Sequence, residues 1–373
     1  MQNEIIGPGR LNYIDNILDE HHPKKVFIVS GKKSYQLSGA QAVLESRLKE
    51  IDFFRYSEFE ENPKFEDLLQ GTKVLKNYKP DLIIAVGGGS VLDTAKIISV
   101  LPEDRDHAKK TIQGDIPVQG KFAPMIAIPT TSGSGSEATH FAVAYVNKEK
   151  YSVAAELLMP DYVIIDPELT YSMPPYQTAV SGMDALCQSI ESYWAKGATS
   201  ESRKYSKKAL QLILPNLEHA VKNGDSESRY NMLIGSNYAG KAINISKTTA
   251  PHALSYSLTT EFGIPHGHAV AMILGHFFEF NMSQIDANDD GAMHKTMRKL
   301  FSLLESKQAK ECSENFYELM EKVGLEKNLS QLDVAVNSRN VKNLADSVNL
   351  ERLSNHPVSV PRNDLVQILN KIL

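Results

Sequence analysis

Cysteine is scarce in this chain, with only Cys187 and Cys312 among 373 residues. Two cysteines so far apart match neither a disulfide framework nor a Cys-x-x-Cys metal clip. The amino-terminal MQNEIIGPGR has no basic region followed by an apolar stretch, so we expect no secretory signal. These absences together predict a reduced, cytoplasmic protein.

Long apolar runs and an excess of positive charge are also missing. No apolar stretch approaches the roughly 18 residues of a membrane-spanning helix. The formal net charge is −5, whereas proteins that bind phosphate backbones carry basic surfaces. We therefore expect neither a membrane protein nor a nucleic-acid partner. Hydrophobic residues make up 42% and charged residues 23%, which is typical of a globular chain, and this length predicts two domains.

Short apolar runs alternate with helix-like stretches up to about residue 170. We predict helices over 64–78 and 90–100. The predicted buried strands are 24–29 (KKVFIV), 81–86 (DLIIAV), 124–129 (PMIAIP) and 162–165 (YVII). Strands that alternate with helices indicate a mostly parallel sheet covered on both faces. Residues 1–170 are therefore predicted to form an α/β domain.

Helical periodicity replaces the strands after residue 170. The last predicted helix ends at Gly324, a residue typical of helix termini. The predicted helices are 178–194, 205–221, 229–244, 268–281 and 316–323. We therefore predict an all-helical domain over 171–373, with the expected ligand site in a cleft between the two domains.

Two polar loops follow predicted strands. Gly87, Gly88, Gly89 and Ser90 open a helix, where glycines allow close approach of a phosphate and the helix dipole attracts its charge. The alternative is a tight turn that needs glycine for its shape alone. The loop at 129–137 (PTTSGSGSE) combines hydroxyl groups with glycines, and its alternative is a solvated surface loop. Together the loops predict a dinucleotide at the carboxyl ends of parallel strands.

Several separated motifs occur in order along the chain. They are GGGSVLDTAK (87–96), IPTTSGSGSE (128–137), Asp166-Pro167, GMDAL (182–186) and IPHGHAV (264–270). On these motifs the chain resembles the iron-containing alcohol dehydrogenases over nearly its whole length, as far as NHPVSV (355–360). The resemblance implies a dinucleotide-binding domain joined to a helical domain, with metal and nicotinamide meeting in the cleft. It implies cofactor contacts at Gly87, Gly88, Gly89, Ser90, Asp93, Thr130, Thr131, Ser134, Thr139 and Lys150.

The end of the first predicted strand bears on the choice between NAD and NADP. Many NAD-preferring relatives end this strand with an aspartate that binds the adenosine ribose, whereas Ser30, Gly31 and Lys32 stand here, followed by Lys33. A missing carboxylate removes repulsion against a 2′-phosphate, and two lysines attract it. We therefore predict that NADPH serves at least as well as NADH. The alternative is that both lysines are solvated surface charges.

A divalent metal is implied at four positions. Asp184 and Gln188 are four residues apart in a predicted helix, so their side chains share one face. The resemblance adds His252 and His266 as ligands. Gln188 stands where the family usually has histidine, and an amide oxygen is a weaker ligand for iron or zinc than an imidazole nitrogen. We predict a retained metal, iron or zinc, that is held less tightly. The alternative is that Gln188 only forms hydrogen bonds and the site has lost its metal.

Tyr256 and Lys247 are predicted at the reaction centre. Tyr256 stands where many relatives carry another histidine, and a phenol can donate a hydrogen bond or pass a proton. The alternative is a packed aromatic ring. Ser246, Lys247 and Thr249 precede His252, and their hydroxyl groups and positive charge are predicted to bind an anionic substrate group. The alternative is a polar turn that caps a helix. This segment resembles the branch of the family that reduces phosphonoacetaldehyde to 2-hydroxyethylphosphonate.

The predicted function is metal-assisted hydride transfer between NAD(P)H and a small aldehyde, in a homo-oligomer. One alternative is a lyase similar to dehydroquinate synthase, which shares the architecture without net oxidation. A second is a dehydrogenase of the same family that acts on a neutral short-chain substrate. A third is a non-catalytic binding protein, which the replacements at Gln188 and Tyr256 favour.

Overall fold

The computed structural model describes residues 2–147, 149–332, 334, 338–346, 348 and 350–373. The chain divides into two compact units, Met1–Met173 and Pro174–Leu373. The sequence predicts this division at residue 170. No helix in the described part of the chain is long and apolar enough to span a membrane.

The first unit is built on a parallel sheet. Its six described strands pair side by side in the order β1-β8-β5-β4-β2-β3, and every pair is parallel. A separate antiparallel hairpin is formed by β6 and β7. The strands are β1 (Asn3–Ile6), β2 (Lys25–Ser30), β3 (Asp52–Tyr56), β4 (Leu82–Gly87), β5 (Met125–Pro129), β6 (Phe141–Val146), β7 (Glu149–Ala154) and β8 (Tyr162–Ile165).

The central strands are apolar because the sheet is covered on both faces. All six residues of β4 and all five of β5 are buried, which is typical of parallel strands packed between helices. Residues at the edges of the sheet are more exposed. The helices of this unit are α1 (Ile14–His21), α2 (Ser34–Leu37), α3 (Ala40–Arg47), α4 (Phe65–Tyr78), α5 (Gly89–Ile98) and α6 (Arg105–Gln113).

The second unit is helical throughout its described residues. Its helices are α7 (Pro175–Trp194), α8 (Ser200–Lys222), α9 (Ser226–Ser246), α10 (Ala250–Phe262), α11 (His266–Leu274), α12 (His276–Ala287), α13 (Gly291–Leu303), α14 (Ala309–Lys322), α15 (Ser338–Asp346), α16 (Leu350–Ser354) and α17 (Arg362–Lys371). The predicted fold class, an α/β unit with a parallel sheet followed by an all-α unit, is confirmed.

One predicted helix is divided in the structure. Instead of a continuous helix over 268–281, α11 and α12 meet at Gly275. A Cβ atom at Gly275 would lie 2.5 Å from the ring of Tyr317, so only glycine allows this close approach.

The centre of the helical unit is α7. It is buried continuously from Thr178 to Trp194 and packs against α8, α9 and α11. Such burial on all sides places any polar residue of α7 inside the protein, where it needs a partner or a ligand.

Candidate metal and cofactor sites

Three predicted metal ligands converge in the helical unit. Asp184, His252 and His266 each offer one ligand atom, and these atoms lie within 4.8 Å of one another. Nε2 of His252 is 3.4 Å from Oδ1 of Asp184, and the rings of His252 and His266 have centroids 5.3 Å apart. Two ligand atoms that are each about 2 Å from a shared cation are at most about 4 Å apart, so the Nε2–Oδ1 distance fits a shared ion.

Local sequence explains this convergence. His252 lies in the first turn of α10, beside Pro251, and His266 begins α11. A Cβ atom at Gly267 would lie 2.1 Å from the carbonyl oxygen of Val180 on α7 and 2.9 Å from Cβ of Asp184. The glycine after His266 therefore lets α11 approach α7 closely enough to bring the imidazole to the carboxylate.

Gln188 follows Asp184 by one helical turn, and its side chain is buried. Among the residues that the structure describes, neither Oε1 of Gln188 nor Nε2 of His252 has a hydrogen-bond partner. Leaving a buried polar atom without a partner costs about 1–3 kcal/mol. A divalent cation would satisfy both atoms, so one carboxylate oxygen, two imidazole nitrogens and one amide oxygen fit a metal here.

Glu191 is a functional candidate that the sequence prediction missed. It is fully buried on α7, and it accepts hydrogen bonds from the backbone N–H of Thr249 (2.9 Å) and from Nδ1 of His252. Burial lowers the pKa of His252, but the carboxylates of Glu191 and Asp184 outweigh it and raise that pKa to about 9. The helical spacing of 184, 188 and 191 puts all three side chains on one face of α7, and this spacing was the available signal.

Tyr256 lies beside the candidate metal ligands. Its ring stacks on His266 with centroids 5.7 Å apart and an interplanar angle of 26°. Burial raises the pKa of Tyr256, and the positive charge of Arg352 acts in the opposite direction. The phenol therefore keeps its proton at neutral pH. Arg352, on α16, is a second buried residue near this site that the sequence prediction missed.

Lys247 occupies an unusual backbone conformation between α9 and α10. Its φ of 61° and ψ of 175° lie in a region that is essentially restricted to glycine. The turn is held by Asn355, whose Nδ2 donates hydrogen bonds to the carbonyl oxygens of Ser246 (2.8 Å) and Thr248 (2.9 Å). The Lys247 side chain is exposed.

The two hydroxyl groups predicted to bind substrate lie in the hydrogen-bond network of the helical unit. The hydroxyl of Ser246 bonds to Oγ of Ser192 at 2.7 Å. The hydroxyl of Thr249 donates to Glu191 at 2.8 Å and accepts from Nε1 of Trp194 at 3.0 Å. Both residues are buried. A substrate contact by either residue stays a prediction.

The two predicted cofactor loops lie against each other. A Cβ atom at Gly88 would be 3.2 Å from the side chain of Thr131, and one at Gly89 would be 2.8 Å from that of Ser134. The backbone N–H of Thr130 donates to the carbonyl of Gly87 at 3.1 Å. Close approach of these loops explains why glycines follow β4. Ser90 accepts a hydrogen bond from the backbone of residue 62.

Asp93 and Lys96 support the second loop from within α5. Asp93 accepts hydrogen bonds from Oγ of Ser136 (2.5 Å) and from the backbone of β6. Nζ of Lys96 donates to the carbonyls of Ser136 and Thr139, the latter at 2.8 Å. Burial lowers the pKa of Lys96 to about 8, although Asp93 raises it. Burial raises the pKa of Asp93. The charge of Lys150, on β7, acts in the opposite direction without reversing the shift. The sequence prediction missed Lys96.

Arg55 adds a positive charge at the position where the adenosine ribose of the cofactor is predicted to bind. Nε of Arg55 donates to Oγ of Ser30 at 2.7 Å, and Nη2 donates to the carbonyl of Gly31 at 2.9 Å. Lys32 lies 3.3 Å from a carboxylate oxygen of Glu58, with both side chains exposed. Arg55 comes from β3, a strand that the sequence analysis did not predict.

A parallel-sheet unit with close-packed glycine loops, joined to a helical unit with a carboxylate–imidazole cluster, defines a protein class that binds dinucleotide and metal. Residues 2–167 match the family described as iron-containing alcohol dehydrogenase, and residues 178–373 match the family's C-terminal description. This chain belongs to the iron-containing alcohol dehydrogenase family, and the resemblance seen in its motifs is confirmed.

Individual relatives share substantial identity with the chain. It is 34% identical to aldehyde-alcohol dehydrogenase 2 of Entamoeba histolytica over 69% of this chain and 31% of that protein. It is 32% identical to sulfoacetaldehyde reductase of Bilophila wadsworthia over 74% of this chain and 72% of that protein. The crystal structure of sulfoacetaldehyde reductase from Bifidobacterium kashiwanohense in complex with NAD+ superimposes with a TM-score of 0.90 at 27% identity, covering 100% of this chain and 96% of that one. The match spans only 31% of the length of the Entamoeba protein, and the same share of the aldehyde-alcohol dehydrogenases of Streptococcus pneumoniae.

Proposed function

We propose that this protein is an NAD(P)H-dependent, metal-assisted reductase of short aldehydes that carry an anionic head group. Phosphonoacetaldehyde, reduced to 2-hydroxyethylphosphonate, is the leading candidate substrate. The observation that carries the proposal is the convergence of Asp184, His252 and His266 to within 4.8 Å beside the buried amide of Gln188. Family membership supports the dehydrogenase class over a lyase. We also propose a cytoplasmic homo-oligomer.

The chemistry is divided between the bound groups and the side chains. A divalent metal, iron or zinc, supplies Lewis-acid stabilisation of a carbonyl oxygen, and the nicotinamide supplies the hydride. Asp184, His252 and His266 hold the cation, with Gln188 as a weaker fourth ligand. Tyr256 keeps its phenolic proton and therefore donates a hydrogen bond rather than acting as a base.

An anionic substrate is supported by Lys247 and by the relatives. Two similar proteins are named sulfoacetaldehyde reductases. Sulfoacetaldehyde is a two-carbon aldehyde with an anionic sulfonate, and phosphonoacetaldehyde is a two-carbon aldehyde with an anionic phosphonate. Lys247 is exposed at the turn that leads into α10, which carries His252. A strained backbone of this kind costs about 1–3 kcal/mol and is common at ligand-binding positions. We assign Lys247 to the anionic group.

The cofactor is proposed to be NADPH at least as readily as NADH. Gly31 follows β2 at the position where NAD-preferring relatives carry an aspartate, and Arg55 places positive charge beside it, whereas Lys32 is paired with Glu58. Cations near the adenosine ribose favour a 2′-phosphate. The two glycine-containing loops are proposed to hold the pyrophosphate and the nicotinamide ribose.

The deciding experiment follows NADPH consumption with phosphonoacetaldehyde, sulfoacetaldehyde and the neutral propionaldehyde. Each aldehyde is tested on metal-depleted protein and after addition of Fe²⁺, Zn²⁺ or Mn²⁺. We expect metal-dependent turnover that is fastest with an anionic aldehyde. Equal kcat/KM for propionaldehyde would favour the neutral-substrate alternative. Tight cofactor binding without NADPH consumption under any condition would overturn the reductase.

A further inference from the structure

We infer that Glu191 is a positioning residue that selects which nitrogen of His252 is available to a metal. The inference rests on the metal site of the proposed function, but it concerns a residue outside the ligand set. Glu191 is completely buried on α7, one helical turn after Gln188.

Both carboxylate oxygens of Glu191 have defined partners. Oε1 accepts hydrogen bonds from the backbone N–H of Thr249 (2.9 Å), the hydroxyl of Thr249 (2.8 Å) and the backbone N–H of His252 (3.3 Å). Oε2 faces Nδ1 of the His252 ring. The carboxylate therefore binds the first turn of α10 and the imidazole that this turn carries.

This arrangement determines the function of each ring nitrogen. An ionised carboxylate only accepts hydrogen bonds, so the proton at its contact with His252 belongs to Nδ1. A metal binds an imidazole nitrogen only through a lone pair, and with the Nδ1 proton held by Glu191 only Nε2 can give up its proton and offer one. Nε2 is the nitrogen that lies 3.4 Å from Oδ1 of Asp184. Glu191 thus directs the ligating nitrogen towards the other ligands.

The orientation of Glu191 is itself fixed. Three N–H and O–H donors converge on Oε1, and the Thr249 hydroxyl also accepts a hydrogen bond from Nε1 of Trp194 (3.0 Å). This buried network fixes the position of the carboxylate beside the His252 ring. It also provides both hydrogen-bond partners of the buried Thr249 hydroxyl.

The variant Glu191→Gln tests the inference with almost no change of shape. The three donors at Oε1 require the amide oxygen to stay at that position, because an NH₂ group there would face donors only. The NH₂ group is then placed against Nδ1 of His252, where it donates. Nδ1 becomes the acceptor, and the proton moves to Nε2, where it blocks the metal.

The measurement is metal affinity, which does not depend on turnover. Co²⁺ binding is followed by visible absorption, and Zn²⁺ binding by competition with a chelator. We expect Glu191→Gln to raise both dissociation constants about 10–100-fold, the usual effect of losing the partner of a ligating histidine. The metal-free variant should keep the helical circular dichroism of the wild type.

Asp166→Asn is the matched control. Asp166 is a buried carboxylate in the first unit that accepts backbone N–H bonds from Gly9 (3.2 Å) and Leu11 (2.8 Å). Its conversion to an amide should lower the melting temperature without changing the affinity for Co²⁺. The control thus separates loss of a buried carboxylate in general from loss of the carboxylate at His252.

The outcomes separate this inference from the proposed function. If the wild type itself shows no Co²⁺ binding, the metal site is wrong and the inference falls with it. If the wild type binds Co²⁺ and Glu191→Gln binds it equally well, the metal site stands and only the role of Glu191 is overturned. Should Glu191→Gln not fold, Glu191→Asp withdraws the carboxylate from Nδ1 by one methylene. A Co²⁺ dissociation constant raised more than threefold supports the positioning role of Glu191, and an unchanged one overturns it.

Discussion

Nε of Arg55 donates a hydrogen bond to Oγ of Ser30 at the carboxyl end of β2, with a distance of 2.7 Å. The same guanidinium binds the carbonyls of Gly31 (2.9 Å) and Lys32 (3.2 Å). It thus fixes the turn in which relatives that prefer NAD carry an aspartate. The turn itself contributes lysines and no carboxylate, and although Glu58 pairs with Lys32, we predict that the charge of the turn favours a phosphorylated ribose.

Replacing Gly31 by aspartate should reverse the cofactor preference. A carboxylate at this position repels a 2′-phosphate and accepts hydrogen bonds from an unmodified ribose. We expect Gly31→Asp to lower kcat/KM for NADPH at least tenfold and to leave that for NADH equal or higher. Steady-state kinetics with both cofactors at constant ionic strength measures the change.

The control for this substitution is Gly31→Ser. A Cβ atom at residue 31 would lie 2.3 Å from Oγ of Ser34, so either side chain requires Ser34 to move. Serine introduces the same crowding without a charge. Equal losses with NADPH for both variants would mean that space, and not charge, governs the preference.

Gln188 is predicted to weaken the metal site relative to a histidine. An imidazole nitrogen binds zinc or iron more strongly than an amide oxygen, so Gln188→His should lower the dissociation constant for Zn²⁺ at least tenfold. Gln188→Leu, which keeps the volume and removes the oxygen, should raise it. Competition with a chelator measures both constants. Wild-type affinity in Gln188→Leu would show that the amide is not a ligand.

How far the sequence predicted this molecule depends on the distance between partners along the chain. The strands at 82–87 and 125–129 were predictable because continuous apolar runs identify strands buried on both faces. The edge strand Asp52–Tyr56 was missed, since its residues DFFRY form neither a continuous apolar run nor a regular alternation of apolar and polar residues. Lys96 was missed because its acceptors lie about 40 residues further on. Only packing in three dimensions reveals such a partner.

The candidate metal ligands and their support were predictable to different degrees. Asp184, His252 and His266 were implied by the family resemblance, whereas the structure supplied Glu191. Its spacing from Asp184 on α7 was visible, but its partner His252 lies 61 residues away. The need for glycine at residue 275 was hidden for a similar reason, because the ring of Tyr317 that excludes a Cβ atom there comes from a distant helix.

Acid should destabilise the helical unit through its buried histidines. Burial, together with the charge of Lys371, lowers the pKa of His276 to about 4, and burial holds the pKa of His356 well below its usual range. In the unfolded chain a histidine titrates near 6.5. Between pH 6.5 and 4 the unfolded state therefore binds more protons than the folded state, and the free energy of unfolding falls as pH falls.

Each such histidine contributes a slope of up to about 1.4 kcal/mol per pH unit. Urea denaturation of metal-free protein at several pH values from 7.5 to 4.5 measures the slope. His276→Phe keeps a ring beside Tyr317. It should reduce the slope by up to about 1.4 kcal/mol per pH unit, the contribution of one proton, whatever its effect on stability at pH 7.5. His294→Phe, at a partly exposed position, is the control. An unaltered slope in His276→Phe would contradict the assignment.

Lys247 provides a test that separates substrate recognition from backbone strain. Its φ of 61° and ψ of 175° suit glycine, and relief of such strain contributes about 1–3 kcal/mol. Glycine also loses about 0.5–1 kcal/mol through its freedom in the unfolded chain. Lys247→Gly should therefore be at least as stable as the wild type, and more stable than Lys247→Ala, which keeps a Cβ atom. Thermal and urea denaturation compare the three proteins.

Both Lys247 variants lose the cation, so both should lose recognition of an anionic substrate. A hydrogen bond to a charged group contributes about 1.5–3 kcal/mol, which predicts a loss of about 10–100-fold in kcat/KM for phosphonoacetaldehyde. The value for propionaldehyde should change less than threefold. A stable Lys247→Gly variant that reduces both aldehydes like the wild type would show that the strained turn serves no substrate anion. A gain in stability together with a selective loss of activity on phosphonoacetaldehyde would support the proposed role of Lys247. Its strained backbone conformation would then be retained because its charge binds the substrate.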